Sequence, residues 1–330
     1  MQIAESSFDF EIERIVDEIE ERGFDKVSLQ FPQGLKRQAT DVVDELERRK
    51  PSVDFYISGE PCYGACDLDQ WLLKRTDVLV HFGHSPIRNS ESVIYVETRS
   101  HEPIEDVMDQ GADLLECDQK VCLVTTAQHS HNFDDAKDLL ESRGFDVESR
   151  NGDERLDKEG QVLGCNYTSV SSDATQVLYL GGGDFHPVGL AMDHPEKKLV
   201  VADPVNDQVR EIDGEKFIRQ RYAAIAEAQN EGVEKWGVLL STKIGQKRET
   251  LAYQLVDDYS GTYLITMDEV TPDRLLQFDA DAYVNTACPR ITTDDGPRFD
   301  KPVLTPIEFE IAIGEKDWDD LRFDTFHGAW

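Results

Sequence analysis

Apolar and polar positions along the chain follow two rhythms that keep replacing one another. Phe10, Ile12, Ile15, Val16 and Ile19 fall three or four apart, the spacing of one helix face. They predict a helix over 8–22, closed by Gly23. The apolar run at 26–30 predicts a buried strand, Phe31-Pro32-Gln33-Gly34 a loop, and Leu35, Val42, Val43 and Leu46 one face of a helix over 35–49. Further strands are predicted at 54–58, 77–81 and 93–97.

The same order returns twice. A strand at 120–125, a loop at 126–131 and a helix at 133–143 ending at Gly144 precede strands at 145–148, 176–180 and 198–202. A third set runs strand 236–240, loop 241–245, helix 246–259, then strands 262–266, 282–285 and 302–304. Bridging helices are expected over 106–118 and 215–229. Strands that alternate with amphipathic helices imply parallel sheets covered on both faces. The expectation is therefore α/β, with three similar domains at 1–118, 119–232 and 233–330, each a small parallel sheet flanked by helices.

Composition narrows the setting. The chain carries 34 basic and 67 acidic residues, a net charge of −33 spread along its whole length. Such a surface repels itself and needs counter-ions, the pattern of proteins adapted to very salty cytosol, and it opposes direct nucleic-acid binding. No apolar run approaches the about 18 residues that would span a membrane. The acidic stretch Met1 to Phe10 lacks the basic and apolar regions of a signal peptide, so a cytoplasmic, reducing location is expected, where cysteines serve as ligands or catalysts rather than disulfides.

Six cysteines carry the candidate chemistry: Cys62, Cys66, Cys117, Cys122, Cys165 and Cys288. No CxxC pair is present, which argues against a zinc ribbon. Cys122 reads as a core thiol within a strand, and Cys117 as ordinary packing at a helix end. Cys66, Cys165 and Cys288 each lie in or beside a loop containing Gly or Pro, one per copy. Singly, each suits a structural role at least as well as a ligand. Together, three thiols from three loops suit a shared metal site, and three ligands rather than four leave one position open for substrate. Gly182 and Gly183, after a strand, allow close approach to a nucleotide-like ligand, although a tight turn without a ligand explains them equally. Lys243, Gln246 and Arg290 could bind a ligand carboxylate, or simply lie at the surface.

The stretches Tyr63-Gly64-Ala65-Cys66-Asp67, His81-Phe82-Gly83-His84-Ser85, Thr125-Thr126-Ala127-Gln128-His129, 161–167, Ala287-Cys288-Pro289-Arg290 and 301–306, in this order, resemble the archaeal diphthamide-biosynthesis family of 2-(3-amino-3-carboxypropyl)histidine synthases. The resemblance implies three α/β domains around a 4Fe–4S cluster, with Cys66, Cys165 and Cys288 as ligands and no catalytic side chain beyond the cluster. The Tyr-Gly-Ala-Cys match selects Cys66 over the neighbouring Cys62. It further implies that S-adenosylmethionine is cleaved to methylthioadenosine and a 3-amino-3-carboxypropyl radical, which adds to C2 of a histidine in translation elongation factor 2. A homodimer and an external electron donor belong to the same expectation, with Gly182, Gly183, Lys243, Gln246 and Arg290 as candidate contacts to S-adenosylmethionine. The alternatives are a non-catalytic iron–sulfur partner subunit and a quinolinate-synthase-like cluster enzyme. The first predicts a lost ligand cysteine, and the Tyr-Gly-Ala-Cys and Ala-Cys-Pro-Arg stretches do not favour the second.

Overall fold

The computed structural model describes residues 6–88 and 90–327, so the first five residues of the segment read for a leader lie outside the described residues. The chain builds three parallel sheets with one plan. In the first, Lys26–Gln30 is flanked by Asp54–Ile57 on one side and Val78–Phe82 on the other, with Val93–Val96 outermost. The second arranges Val147–Glu148, Val121–Thr125, Gln176–Leu180 and Lys198–Asp203 in the same way. The third does so with Thr262–Met267, Trp236–Ser241, Ala282–Asn285 and Val303–Leu304. The earliest of these four strands is always second in the sheet, so its carboxyl end lies between those of its neighbours. Crevices at that end are where open α/β sheets bind ligands.

These leading strands are apolar because they are covered on both faces. Val27, Leu29, Val121, Leu123, Val238 and Leu239 are all fully buried. Buried polar residues within them are bonded; Ser28, for one, is satisfied by Thr76 Oγ1 at 2.8 Å and the Val78 carbonyl. The helix Ile12–Arg22 buries Ile12, Ile15 and Ile19 on the first sheet, each contributing about 1.5–3 kcal/mol. Gly23 closes it at φ 65°, donating to the Ile19 carbonyl.

Several elements differ from expectation. The predicted 8–22 helix is preceded by a short strand, Phe8–Asp9, paired with Arg99–Ser100. The helices expected from 35 and 246 start late, at Ala39 and Glu249, because a 3-10 turn comes first; in the second copy the 3-10 turn falls within the expected loop and the helix starts at Phe133 as expected. The second sheet gains an antiparallel edge strand, Gln208–Ile212, and a helix, Phe185–Asp193, begins just past the Gly-rich loop.

Two helices bridge the units, the second with Phe217 on the second unit. From Glu105–Asp113, Val107, Met108 and Ala112 join the second core, and from Gly214–Glu231, Ile225 and Ala228 join the third. The C-terminal segment then returns, placing Phe323 in the core on the other face of the second sheet, with Val124 and Tyr179. Among the described residues, no helix is long and apolar enough to cross a membrane.

Candidate metal centre

The three loop cysteines leave equivalent ends of the three sheets. Ser58 N donates to the Leu29 carbonyl, and Gln30 Nε2 to the Asp67 carbonyl at 2.8 Å, which draws the Cys66 loop onto the end of the first leading strand. Val162 N donates to the Thr125 carbonyl, and Leu163 and Asn166 exchange backbone hydrogen bonds, holding Cys165 in a tight turn at the end of the second. Thr286 N donates to the Leu239 carbonyl, while Asn285 Nδ2 donates to the Cys288 carbonyl at 2.8 Å, fixing the third.

Contacts across the repeats bring these loops together. Gly245 N donates to the Cys66 carbonyl at 3.0 Å, and Gln246 Nε2 reaches Cys66 Sγ at 3.5 Å. An added Cβ at Gly245 would lie 2.2 Å from Cys66 Cα, so only glycine allows this approach. Phe326 N donates to the Cys165 carbonyl at 2.8 Å. Arg248 forms a bidentate pair with Asp324 and donates to the Thr286 carbonyl beside Cys288.

The thiols act on one another. Burial raises all three, Cys165 to about 12; Cys66 raises Cys165 further, and Cys165 and Cys66 both raise Cys288. Three thiolates in mutual range repel unless cations or a metal offset them. Arg155 supplies positive charge to Cys66 and Cys165, and Arg248 to Cys165. Each cysteine keeps part of its surface accessible. One sulfur from each repeat, coupled to the other two and backed by guanidinium groups, fits a thiolate-ligated metal cluster.

The other predicted site residues divide. Arg290 is 5 % exposed; its Nε and Nη2 hold Asp294, its Nη1 has no hydrogen-bond partner, and its guanidinium lies 4.4 Å over the Phe185 ring. An unpartnered buried donor suits an anionic ligand. Gln246 is committed to Cys66. Lys243 Nζ pairs with Asp67 and Glu269, so its charge is met inside the protein and it ties the first sheet to the third. Gly182 and Gly183 close on Asp203, whose carboxylate accepts from Gly183 N at 3.0 Å.

His186, in the first turn of the helix Phe185–Asp193 that follows, is held neutral by burial, by Arg290 and by His84, its pKa down at about 3. Arg155, Arg248, His84 and His186 were not singled out from the sequence. His84 stood in a stretch already quoted and His186 shortly after Gly182 and Gly183, whereas Arg155 lies in an aperiodic polar loop and Arg248 just before a helix, with no local signal.

The fold and the site define a class: a three-repeat α/β protein that directs one cysteine from each repeat to a common centre. The chain belongs to the diphthamide synthesis protein family, which it matches over residues 31–322. It is 36% identical over 324 residues to the 2-(3-amino-3-carboxypropyl)histidine synthase of Pyrococcus horikoshii, covering 96% of this chain and 93% of that protein. It is 28% identical over 349 residues to the synthase of Methanocaldococcus jannaschii, covering 97% and 95%. The crystal structure of Dph2 from Pyrococcus horikoshii with a 4Fe–4S cluster superposes with a TM-score of 0.87 at 35% identity, over 96% of this chain and 94% of that one.

Proposed function

We propose that the chain is a 2-(3-amino-3-carboxypropyl)histidine synthase, the transferase of the first step of diphthamide biosynthesis. It transfers the 3-amino-3-carboxypropyl group of S-adenosylmethionine to C2 of a histidine in translation elongation factor 2. The observation that carries this reading is the meeting of the Cys66, Cys165 and Cys288 loops, one from each repeat: Gly245 N donates to the Cys66 carbonyl, Phe326 N to the Cys165 carbonyl, and Arg248 links Asp324 to the Thr286 carbonyl beside Cys288. In this reading those three residues hold a 4Fe–4S cluster. When bound and reduced, the cluster supplies the electron that breaks the sulfur–Cγ bond of S-adenosylmethionine, releasing methylthioadenosine and a 3-amino-3-carboxypropyl radical.

The chain's own residues orient and shield. Three thiolates leave one metal position free for the co-substrate. Arg290 Nη1 is the donor for the methionine carboxylate, and its buried surroundings strengthen that bond. Gln246 donates to the Cys66 sulfur and tempers its charge. A homodimeric assembly, an external electron donor and a reducing cytoplasmic setting belong to the same reading. The packing of Val107, Met108 and Ala112 in the second core supports placing the first unit boundary ahead of the helix Glu105–Asp113 rather than at 118.

The test is anaerobic. Iron-replete protein is mixed with dithionite, S-adenosylmethionine and cognate elongation factor 2 in molar salt. Methylthioadenosine, with a 3-amino-3-carboxypropyl mass gain on the factor, is expected. 5′-Deoxyadenosine would overturn the cleavage chemistry, and iron without any cleavage would favour a non-catalytic partner subunit.

A further inference from the structure

We propose that Cys62, His81 and His84 form a second metal site, distinct from the three-cysteine centre. It takes a divalent cation of the zinc class, which accepts both thiolate sulfur and imidazole nitrogen. One donor atom from each residue lies within 4.8 Å of the other two. Tetrahedral zinc, with bonds of about 2.0–2.3 Å, needs donors roughly 3.3–3.7 Å apart, so closing on the ion requires shifts of about 1 Å. Cys62 is 2 % exposed and His81 fully buried.

The hydrogen bonds fix which nitrogen of His81 is free. Gln30 Nε2 donates to the Asp67 carbonyl, so Gln30 Oε1 is the atom facing His81. Oε1 can only accept, and therefore His81 Nδ1 carries the hydrogen, at 3.0 Å. His81 Nε2 is then a lone pair, and it points at His84 Nδ1, 3.0 Å away. A metal-bound histidine usually donates its far N–H to an oxygen acceptor that fixes the ring, and here Gln30 Oε1 is that acceptor. His84 is placed as firmly: the preceding Gly83, at φ 81°, packs on Pro32 and donates to the Val96 carbonyl at 2.7 Å and Thr98 Oγ1 at 3.0 Å.

Cys62 and Cys66 share a loop but serve different neighbours. Cys66 Sγ meets Gln246 of the third sheet's loop, whereas Cys62 meets two histidines of the first sheet. Without metal, His84 Nδ1–H bonds His81 Nε2. On binding, the Cys62 proton passes to solvent and the His84 hydrogen moves to Nε2, so each cation releases one proton in net terms. The charge left on the site faces Asp67, whose carboxylate already acts on Cys62.

The test is metal analysis of the full chain, prepared anaerobically with zinc present. The natural sequence is expected to hold about one zinc per chain in addition to iron. Cys62→Ala and His84→Gln are expected to lose zinc, with affinity down at least about tenfold, and to keep their iron. Should either variant lose iron too, the chain with Cys66, Cys165 and Cys288 all changed to serine decides. It is expected to bind zinc, and to give a cobalt–thiolate absorption band with Co²⁺ that disappears when Cys62→Ala is added. Background zinc in the natural chain, or undiminished zinc in Cys62→Ala, would overturn the site.

Discussion

Lys243, in the loop after the third leading strand, places Nζ 2.7 Å from Oδ2 of Asp67, the residue that follows Cys66. Both side chains are buried, Glu269 is a second acceptor for the ammonium, and the Tyr63 ring lies 5.0 Å from it. Removing one member of a buried pair leaves an uncompensated charge, a loss of about 3–5 kcal/mol. Lys243→Met should lower the denaturation midpoint accordingly and loosen the Cys66 loop. The pair of changes Lys243→Met and Asp67→Leu should recover part of that loss, since the carboxylate goes with the ammonium. Equal losses in the single and double variants, measured by chemical denaturation in molar salt, would mean the contact is not energetically coupled.

Gly245 is the other contact between these loops. Alanine there would drive a Cβ into the backbone of Cys66, at 2.2 Å from its Cα. Gly245→Ala should lose most of its iron and its brown absorbance. Gly59→Ala, with open space at the same distance scale, should match the natural chain. Iron assay and visible spectra of the two proteins compare them directly.

The four cysteines nearest this end of the sheets should separate cleanly. Cys66→Ser, Cys165→Ser and Cys288→Ser should each lose cluster iron, because each removes one of the three coupled sulfurs. Cys62→Ser should retain it. Loss of iron in Cys62→Ser with retention in Cys66→Ser would reverse the ligand choice within the first loop.

Acid should weaken the fold through buried histidine. His129 is 1 % exposed, and burial, with a contribution from His131, holds its pKa down at about 4. Below the ordinary histidine value of about 6.5, the unfolded chain takes up a proton that the folded chain refuses. Its contribution is complete above that value and is lost as pH falls from about 6.5 towards 4, by about 2 kcal/mol at pH 5. Unfolding free energies at pH 7 and pH 5 should differ less in His129→Gln than in the natural chain, and parallel pH profiles would contradict this.

A net charge of −33 predicts salt dependence of the fold as a whole. In dilute buffer self-repulsion should open the chain, and molar salt should restore it, because screening then acts over only about 3 Å. Far-ultraviolet circular dichroism follows this directly. Full helical signal without salt would be the contrary result.

The leading strands were legible because burial on both faces writes them as unbroken apolar runs. Those predicted from 26, 120 and 236 start within a residue of their observed positions. The edge strand Gln208–Ile212 was not legible, because it is half exposed and its sequence, Gln-Val-Arg-Glu-Ile, has no apolar run. The helix Phe185–Asp193 was hidden by His186, Pro187 and Gly189, poor interior helix formers that read as a turn. In the site, the cysteines stood out by residue type and loop setting. The supporting guanidinium groups of Arg155 and Arg248 did not, because long-range partners leave no local pattern.

Hydrophobic periodicity and the placing of one cysteine per copy determined, from the sequence alone, three α/β repeats and the residues able to share a centre. Those features are local, written in spacings of two to four residues and in loop composition. What each charged side chain does was settled only by tertiary structure. Lys243 and Arg290 look alike in the sequence as cations in loops. Folding gives Lys243 two carboxylates from distant segments, while Arg290 spends one edge on Asp294, four residues away, and keeps Nη1 unpaired in a buried place. A cation's availability depends on which charges the fold brings within a few ångströms, and for Lys243 one of those partners, Asp67, comes from the other end of the chain.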